Sequence, residues 1–366
     1  MSKRAIFGVT IGGVDMTSVM APIVISIRVS DKAGTTSDTV TIELNDAGGQ
    51  VVLPTKGAPV TVSLGFAETG AGTVFRGQVD SVRSRGSRGE GRKLTITGKG
   101  FDTAGKPKQP QQRHFDKKSI GDMLKEAGKD AGISKVQVDQ KFASSIREYE
   151  RMDDESFIAF GERLAGELGG TFKISGTTAI LAQRNGGVSP FGGSLSVVNA
   201  TFGVNLHSWD IAPLVGRPRY KKARARYYDK AEAKWKEVEA EIDIEEADAE
   251  LTSRFSENDE DQAKQKTEND KADSERGAGD GTVTIEGDIS AQPEGVCIVG
   301  GTRDGIDGSY RIDSVDHDYS RGGFTTTLSL KQPQGSAGKD SRRKKKKATG
   351  SGDDDDFALP ADPELG

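Results

Sequence analysis

Two stretches far apart in this chain carry nearly the same pattern, and that echo constrains the fold more than any other feature. The first is Val79-Asp80-Ser81-Val82, followed by Ser87-Arg88-Gly89 and Leu94-Thr95-Ile96. The second is Ile312-Asp313-Ser314-Val315, followed by Ser320-Arg321-Gly322 and Thr327-Leu328-Ser329. In both, six positions separate the serine of the Asp-Ser pair from the serine of Ser-Arg-Gly. An apolar-Asp-Ser-Val strand, a turn and a returning strand describe a hairpin, so the simplest reading is one hairpin used twice. Coincidence between two ordinary hairpins is the competing explanation. A duplicated β-domain points toward self-assembly before catalysis.

The pattern around the first copy is β throughout. Ile23, Ile25, Ile27 and Val29 alternate with Val24, Ser26, Arg28 and Ser30, the period of a half-buried strand. Val40-Ile42-Leu44 and Val60-Val62-Leu64-Phe66 repeat it, with Asn45-Asp46, Gly48-Gly49 and Gly70–Gly72 as breaks. Residues 1–105 therefore read as a barrel or sandwich. Pro107 and Pro110 then mark a linker, after which the period turns helical. Ile120, Met123, Leu124, Ala127 and Ala131 share a helix face, with Ser119 as N-cap and Gly132 as stop. Val136 and Val138 suggest a short strand. A second helix is expected from about Glu155 to Leu168, capped by Asp154, and a hairpin over Phe172–Leu181. Residues 106–198 thus form an α/β unit.

From residue 199 the β pattern returns, including a hairpin over Lys222–Asp229 and Trp235–Ile242, and continues to residue 334. An acidic segment at about 245–279 interrupts it. Residues 245–276 hold twelve acids and five bases, a balance of −7 in a chain of net charge −5, so the remainder sums to about +2. That segment reads as an exposed helix with one thin contact face or as a partly disordered excursion. Residues 335–366, with basic Arg342–Lys347 and acidic Asp353–Asp356, read as a disordered charged tail.

Bulk properties narrow the function. The 47 glycines are roughly 13% of the chain, about twice the usual share, which suits a turn-rich β protein. A near-neutral body with one acidic segment is not the footprint of a nucleic-acid binder, so no nucleic-acid specificity is expected. Residues Met1–Thr10 lack the layout of a secretory signal, and no apolar run suggests a stable membrane association. The single cysteine, Cys297, points to a reducing cytoplasm and a buried small side chain, with an interchain disulfide as the alternative.

No chemistry stands out. His114, His207 and His317 lack partners at ligand spacing on one helix, and alternation sends Asp316 and Asp318 to the face opposite His317. Asp153-Asp154-Glu155 could supply paired carboxylates for glycoside hydrolysis, but acids at a helix start are better explained by capping. Asp304-Gly305 and Asp307-Gly308 are turn signals rather than a calcium repeat. Catalytic residues, metal ligands and cofactors are each expected to be none.

The stretch Glu148-Tyr149 through Asp154-Glu155-Ser156-Phe157 to Arg163-Leu164-Ala165-Gly166-Glu167-Leu168-Gly169 resembles the phage late control D family, the tail hub of contractile-tailed phages, related to the N-terminal part of type VI secretion spike proteins. Gly287-Asp288, Gly305–Ile312, His317 and Gly322–Thr326 resemble that family's closing hairpins in order and spacing. The resemblance implies a mainly β fold with an α/β insertion: two related tail-tube-like antiparallel β-barrels flanking an α/β domain. It also implies a homotrimer whose six quasi-equivalent barrels join a hexameric tail tube protein to a trimeric central spike protein, among other baseplate proteins. Location would be the virion's tail baseplate after assembly in the host cytoplasm, with no enzymatic role. The hub of a tailocin or type VI-like machine is an alternative, and a tail-tip peptidoglycan hydrolase is one from another class.

Overall fold

The computed structural model describes residues 3–33, 37–89, 91–101, 105–184, 195–213, 220–242 and 248–339. The charged segments Arg342–Lys347 and Asp353–Asp356 lie outside the described residues.

The N-terminal unit contains β1 (Ala5–Ile11), β2 (Val14–Asp15), the short helix α1 (Thr17–Met20), β3 (Val24–Lys32), β4 (Thr39–Asn45), β5 (Pro59–Phe66), β6 (Gly70–Ser87) and β7 (Gly91–Lys99). Alternation sends Ile27, Val29, Val40, Ile42, Leu44, Val60, Val62 and Leu64 inward, each almost wholly buried in one core. At about 1.5–3 kcal/mol per fully buried aliphatic side chain, this face is the main stabilising contribution of the unit.

The middle unit comprises β8 (Pro110–Ser119), α2 (Ile120–Asp130), β9 (Lys135–Val138), the turn-length helix α3 (Gln140–Ala143), β10 (Ile146–Ser156), α4 (Phe157–Leu168), β11 (Gly170–Ser175) and β12 (Thr178–Gln183). Its separate core joins Met123, Leu124, Phe157, Phe160, Leu164 and Phe172. Ser119 caps α2 by accepting from the Asp122 amide at 3.2 Å. Two expectations change here. The second helix is capped by Ser156, whose hydroxyl accepts from the Ala159 amide, not by Asp154. Asp154 lies in β10 at a break in the β8 pairing, with φ of 49°, a left-handed conformation that aspartate tolerates better than most residues. Pro110 opens a strand rather than sitting in a linker. A first-position proline is compatible with pairing, and the largely exposed β8–β10 ribbon leaves little apolar alternation to read.

The C-terminal unit begins with β13 (Val197–Thr201) and β14 (Leu206–Ala212). It resumes after an insertion with β18 (Asp280–Glu286), β19 (Val296–Gly300), β20 (Gly308–Ser320) and β21 (Gly323–Gln334). Between them stand β15 (Tyr220–Asp229), β16 (Lys234–Glu241), β17 (Ala249–Thr252) and α5 (Glu260–Arg276). The Lys222–Ile242 hairpin, read from the sequence as part of the second barrel, instead forms its own three-stranded sheet with β17. Helix α5 covers that sheet through a thin face: Ala263 joins Ala225 and Tyr227 in a small core, and only Ala263 and Thr267 of the helix are buried. The interruption of the barrel thus includes this hairpin. Periodicity could not reveal it, because strands of an inserted sheet alternate like strands of a barrel.

Both outer units share one sheet, ordered β14-β18-β21-β20-β3-β4-β7-β6-β5-β1-β2, with β13 and β19 paired beside β20.

Candidate assembly site

The repeated hairpins have the same register. In the first, Val79 faces Gly98 and Ser81 faces Thr97, leaving Asp80 as a bulge. In the second, Ile312 faces Leu330 and Ser314 faces Ser329, leaving Asp313 as a bulge. Each bulged carboxylate meets a cation: Lys99 Nζ lies 3.7 Å from Asp80, and an Arg276 nitrogen lies 3.1 Å from Asp313. Extra residues of this kind bend and twist a strand, so the two hairpins curve at the same point. Their turns differ by one residue, since Ser87 faces Gly91 whereas Ser320 faces Gly323.

The agreement extends to neighbouring strands. Val24 faces Leu44 and Ser26 faces Glu43, with a bulge at Ile25. Leu206 faces Ile285 and Ser208 faces Thr284, with a bulge at His207. Ile42 stands between Ile27 and Ile96 as Val283 stands between Trp209 and Leu328. Val60 faces Gly77 as Cys297 faces Tyr310. Cys297 therefore occupies a core position, and burial pushes its thiol up to about 12. One strand departs from the correspondence: β1 runs antiparallel to β5, whereas β13 runs parallel to β19.

The two units meet along a seam. Residues Ser314–Ser320 of β20 pair antiparallel with Ser26–Lys32 of β3. Arg28 Nε donates to Asp318 Oδ1 at 2.7 Å, Ser30 bonds Asp316, and the Phe7 and Tyr319 rings lie 4.9 Å apart. The turn arginine Arg321 donates to the Pro22 carbonyl at 2.5 Å. His317 points to the opposite face from Asp316 and Asp318, where it is 5% exposed, touches Thr326 Oγ1 through Nδ1 at 3.0 Å and lies beside Phe324. Burial lowers its pKa to about 4, so the ring is neutral near pH 7.

Two edges continue this arrangement outward. Among the described residues, the Ser81–Gly86 part of β6 pairs only with β7, and the Ser208–Ala212 part of β14 pairs only with β18. At this edge Phe202 and Val204, just before β14, and Trp209 within it are 55%, 81% and 38% exposed. No such edge feature stood out in the sequence. The duplicated Ser-Arg-Gly turn was its one visible trace.

The conspicuous acids are engaged in the fold. Arg163 donates to both carboxylate oxygens of Glu155 at 3.0 and 2.9 Å, to Glu150 at 2.9 Å and to Glu167 at 3.2 Å. Asp153 accepts from Arg151 at 2.7 Å. Asn269 of α5 donates to the Glu167 carbonyl at 2.5 Å, which ties the insertion to the end of α4. The Arg-Leu-x-x-Glu-x-Gly motif thus fastens β10, α4 and α5 together. Among the described residues no three His, Cys, Asp or Glu side chains converge as a metal site, and no helix is long and apolar enough to cross a membrane.

The chain matches the phage tail baseplate hub (GPD) family over residues 36–323. It is 24% identical to a probable baseplate hub protein of Escherichia phage 186, in an alignment covering 89% of this chain and 92% of that one. It is 27% identical to a probable baseplate hub protein of Escherichia phage P2, over 51% of this chain and 47% of that one. Among solved structures it resembles the 43 kDa tail protein of prophage MuSo2 from Shewanella oneidensis, with TM-score 0.67 and 15% identity over 88% of this chain and 97% of that one. It also resembles an E. coli component of the type VI secretion system described as structurally similar to the T4 tail proteins gp27 and gp5, with TM-score 0.54 and 12% identity over 89% of this chain and 77% of that one.

Proposed function

Because this chain belongs to the phage tail baseplate hub family, we propose that three copies close a ring of six quasi-equivalent barrels joining a hexameric tail tube to a trimeric central spike. The observation that carries this is the shared register of the two outer units within one sheet. A chain bearing two such units side by side supplies one third of a six-fold ring, and closed rings are the common form of oligomers. In this reading residues 1–105 and 199–334 are the paired barrels, residues 106–198 the α/β unit between them, and residues 335–366 an appended tail. The insertion keeps its own sheet, apart from the large one, and is fixed to α4 by Asn269 and to the β20 bulge at Asp313 by Arg276.

The protein acts by geometry: lateral contacts close the ring, one face receives the tube and the other seats the spike. It is part of the virion, assembled in the host cytoplasm. Light scattering on the full-length chain, alone and co-expressed with the spike protein, should give the mass of a trimer. A stable monomer under both conditions contradicts the ring. A hydrolase reading makes a separate demand, namely cell-wall clearing that disappears when Asp154 or Glu155 is substituted with the fold retained. The bidentate hold of Arg163 on Glu155 favours the structural role.

A further inference from the structure

The seam inside one chain is a template for the seam between chains. Superimposing the two registers gives each residue of the β20–β3 join a counterpart on the two outward edges. Asp318 corresponds to Arg85, since Asp318 faces Thr325 and Arg85 faces Lys93 at the same distance from their bulges. Arg28 corresponds to Asp210, since Arg28 faces Thr41 and Asp210 faces Thr282. By the same count Tyr319 corresponds to Gly86 and Ile27 to Trp209.

We propose that Arg83–Gly86 of one copy pairs antiparallel with Trp209–Ala212 of the next copy, with Arg85 against Asp210 and Gly86 against Trp209. This rests on the ring proposed above and names its contact. Three independent features fit. The ion pair of the internal join reappears with its charges exchanged, so a cation still meets an anion. The side-chain sizes also compensate, because Ile27 and Tyr319 are both large, whereas Trp209 is very large and Gly86 has no side chain. The exposed Trp209, Phe202 and Val204 would be covered, as Tyr319 and Phe7 cover each other within the chain. The repeated turn gains a purpose as well. Arg321 reaches back to the Pro22 carbonyl, and Val204 is the counterpart of Pro22, so Arg88 is placed to reach the Val204 carbonyl of the next copy.

An edge strand bearing Arg83 and Arg85 could instead be guarded simply against pairing of any kind. That explanation gives no reason for an acid at the one matching position of the other edge. It also predicts no register.

The test is a cysteine pair in the full-length chain, alone and co-expressed with the spike protein. Directly opposed strand residues have Cα atoms about 4.5–5.5 Å apart, within disulfide reach, whereas diagonal ones lie about 7–8 Å apart. Arg85→Cys with Asp210→Cys should oxidise to covalent dimers and trimers on a non-reducing gel, while Arg83→Cys with Asp210→Cys should not. The buried Cys297 should not react in either. In a second arm, Arg85→Asp should weaken assembly about ten-fold, and adding Asp210→Arg should restore it. A trimer that forms without the matched cross-link, or cross-links equally at both positions, overturns this contact and leaves the ring standing. Absence of any trimer removes both.

Discussion

Arg28 and Asp318 face each other across the join of the two outer units, Nε to Oδ1 at 2.7 Å, although 290 positions separate them in the chain. The pair marks the one register in which β20 can meet β3, because a slip by one residue would send every side chain of β20 to the wrong face. It is exposed, with 65% and 31% of the two side chains accessible, so it selects the register more than it stabilises it. Asp318→Asn should lower stability by only about 0.5 kcal/mol in denaturant unfolding. Asp318→Arg should lower it further, and Arg28→Asp in the same chain should recover the loss. No recovery would mean that the two charges do not interact.

His317 should make the fold acid-sensitive. Its pKa falls from the ordinary 6.5 to about 4 through burial, so between those values the unfolded chain binds a proton that the folded chain does not. Stability is then lost as pH falls through that window, by about 3 kcal/mol in all, and the loss stops below about pH 4. Asp38 acts oppositely, because burial and the nearby Asp31 push its carboxyl up to about 6 and stability falls as pH rises toward that value. The clean readout is therefore a difference: His317→Gln should be less acid-sensitive than the wild type between pH 6.5 and 4.5. Equal pH slopes would place the sensitivity elsewhere.

Two glycines of α4 should respond in opposite directions. A Cβ on Gly161 would stand 2.4–2.6 Å from the Phe172 ring, whereas one on Gly166 would meet nothing within 4 Å. Gly161→Ala should destabilise by about 1–3 kcal/mol through overpacking. Gly166→Ala should stabilise by up to about 1 kcal/mol through helix propensity. Thermal unfolding of the two variants checks the packing of α4 on β11.

Arg163→Met keeps the aliphatic stem but leaves Glu150, Glu155 and Glu167 without their shared cation. The guanidinium is 35% exposed, which tempers the effect, and a loss of about 2 kcal/mol is expected. Because Glu167 also anchors Asn269 through its carbonyl, hydrogen exchange in α5 should rise together with that in α4. Faster exchange in α4 alone would separate the insertion from the motif.

The sequence shows what periodicity can carry. Strands with one buried face, such as Val24–Lys32 and Thr39–Asn45, and helices with a clean apolar stripe, such as Ile120–Asp130, are legible in it. The β8–β10 ribbon is not, because a largely exposed pair of strands has no buried face to mark its period. The insertion is half legible: its acidic composition allows a helix with a thin face but equally a disordered excursion, and nothing announces that Lys222–Ile242 belongs with it. The motif around Arg163 signals the family without revealing its own role as a staple. The outward edges are the least visible, since Arg85 and Asp210 acquire meaning only once the internal seam supplies a register.

The most direct measurement is a reconstruction of the tail tip in the assembled particle. A ring of three copies should show six barrels at one radius, alternating internal joins at Arg28–Asp318 with intersubunit joins at Arg85–Asp210. Six copies of the chain, or two barrels of each chain at different radii, would contradict it.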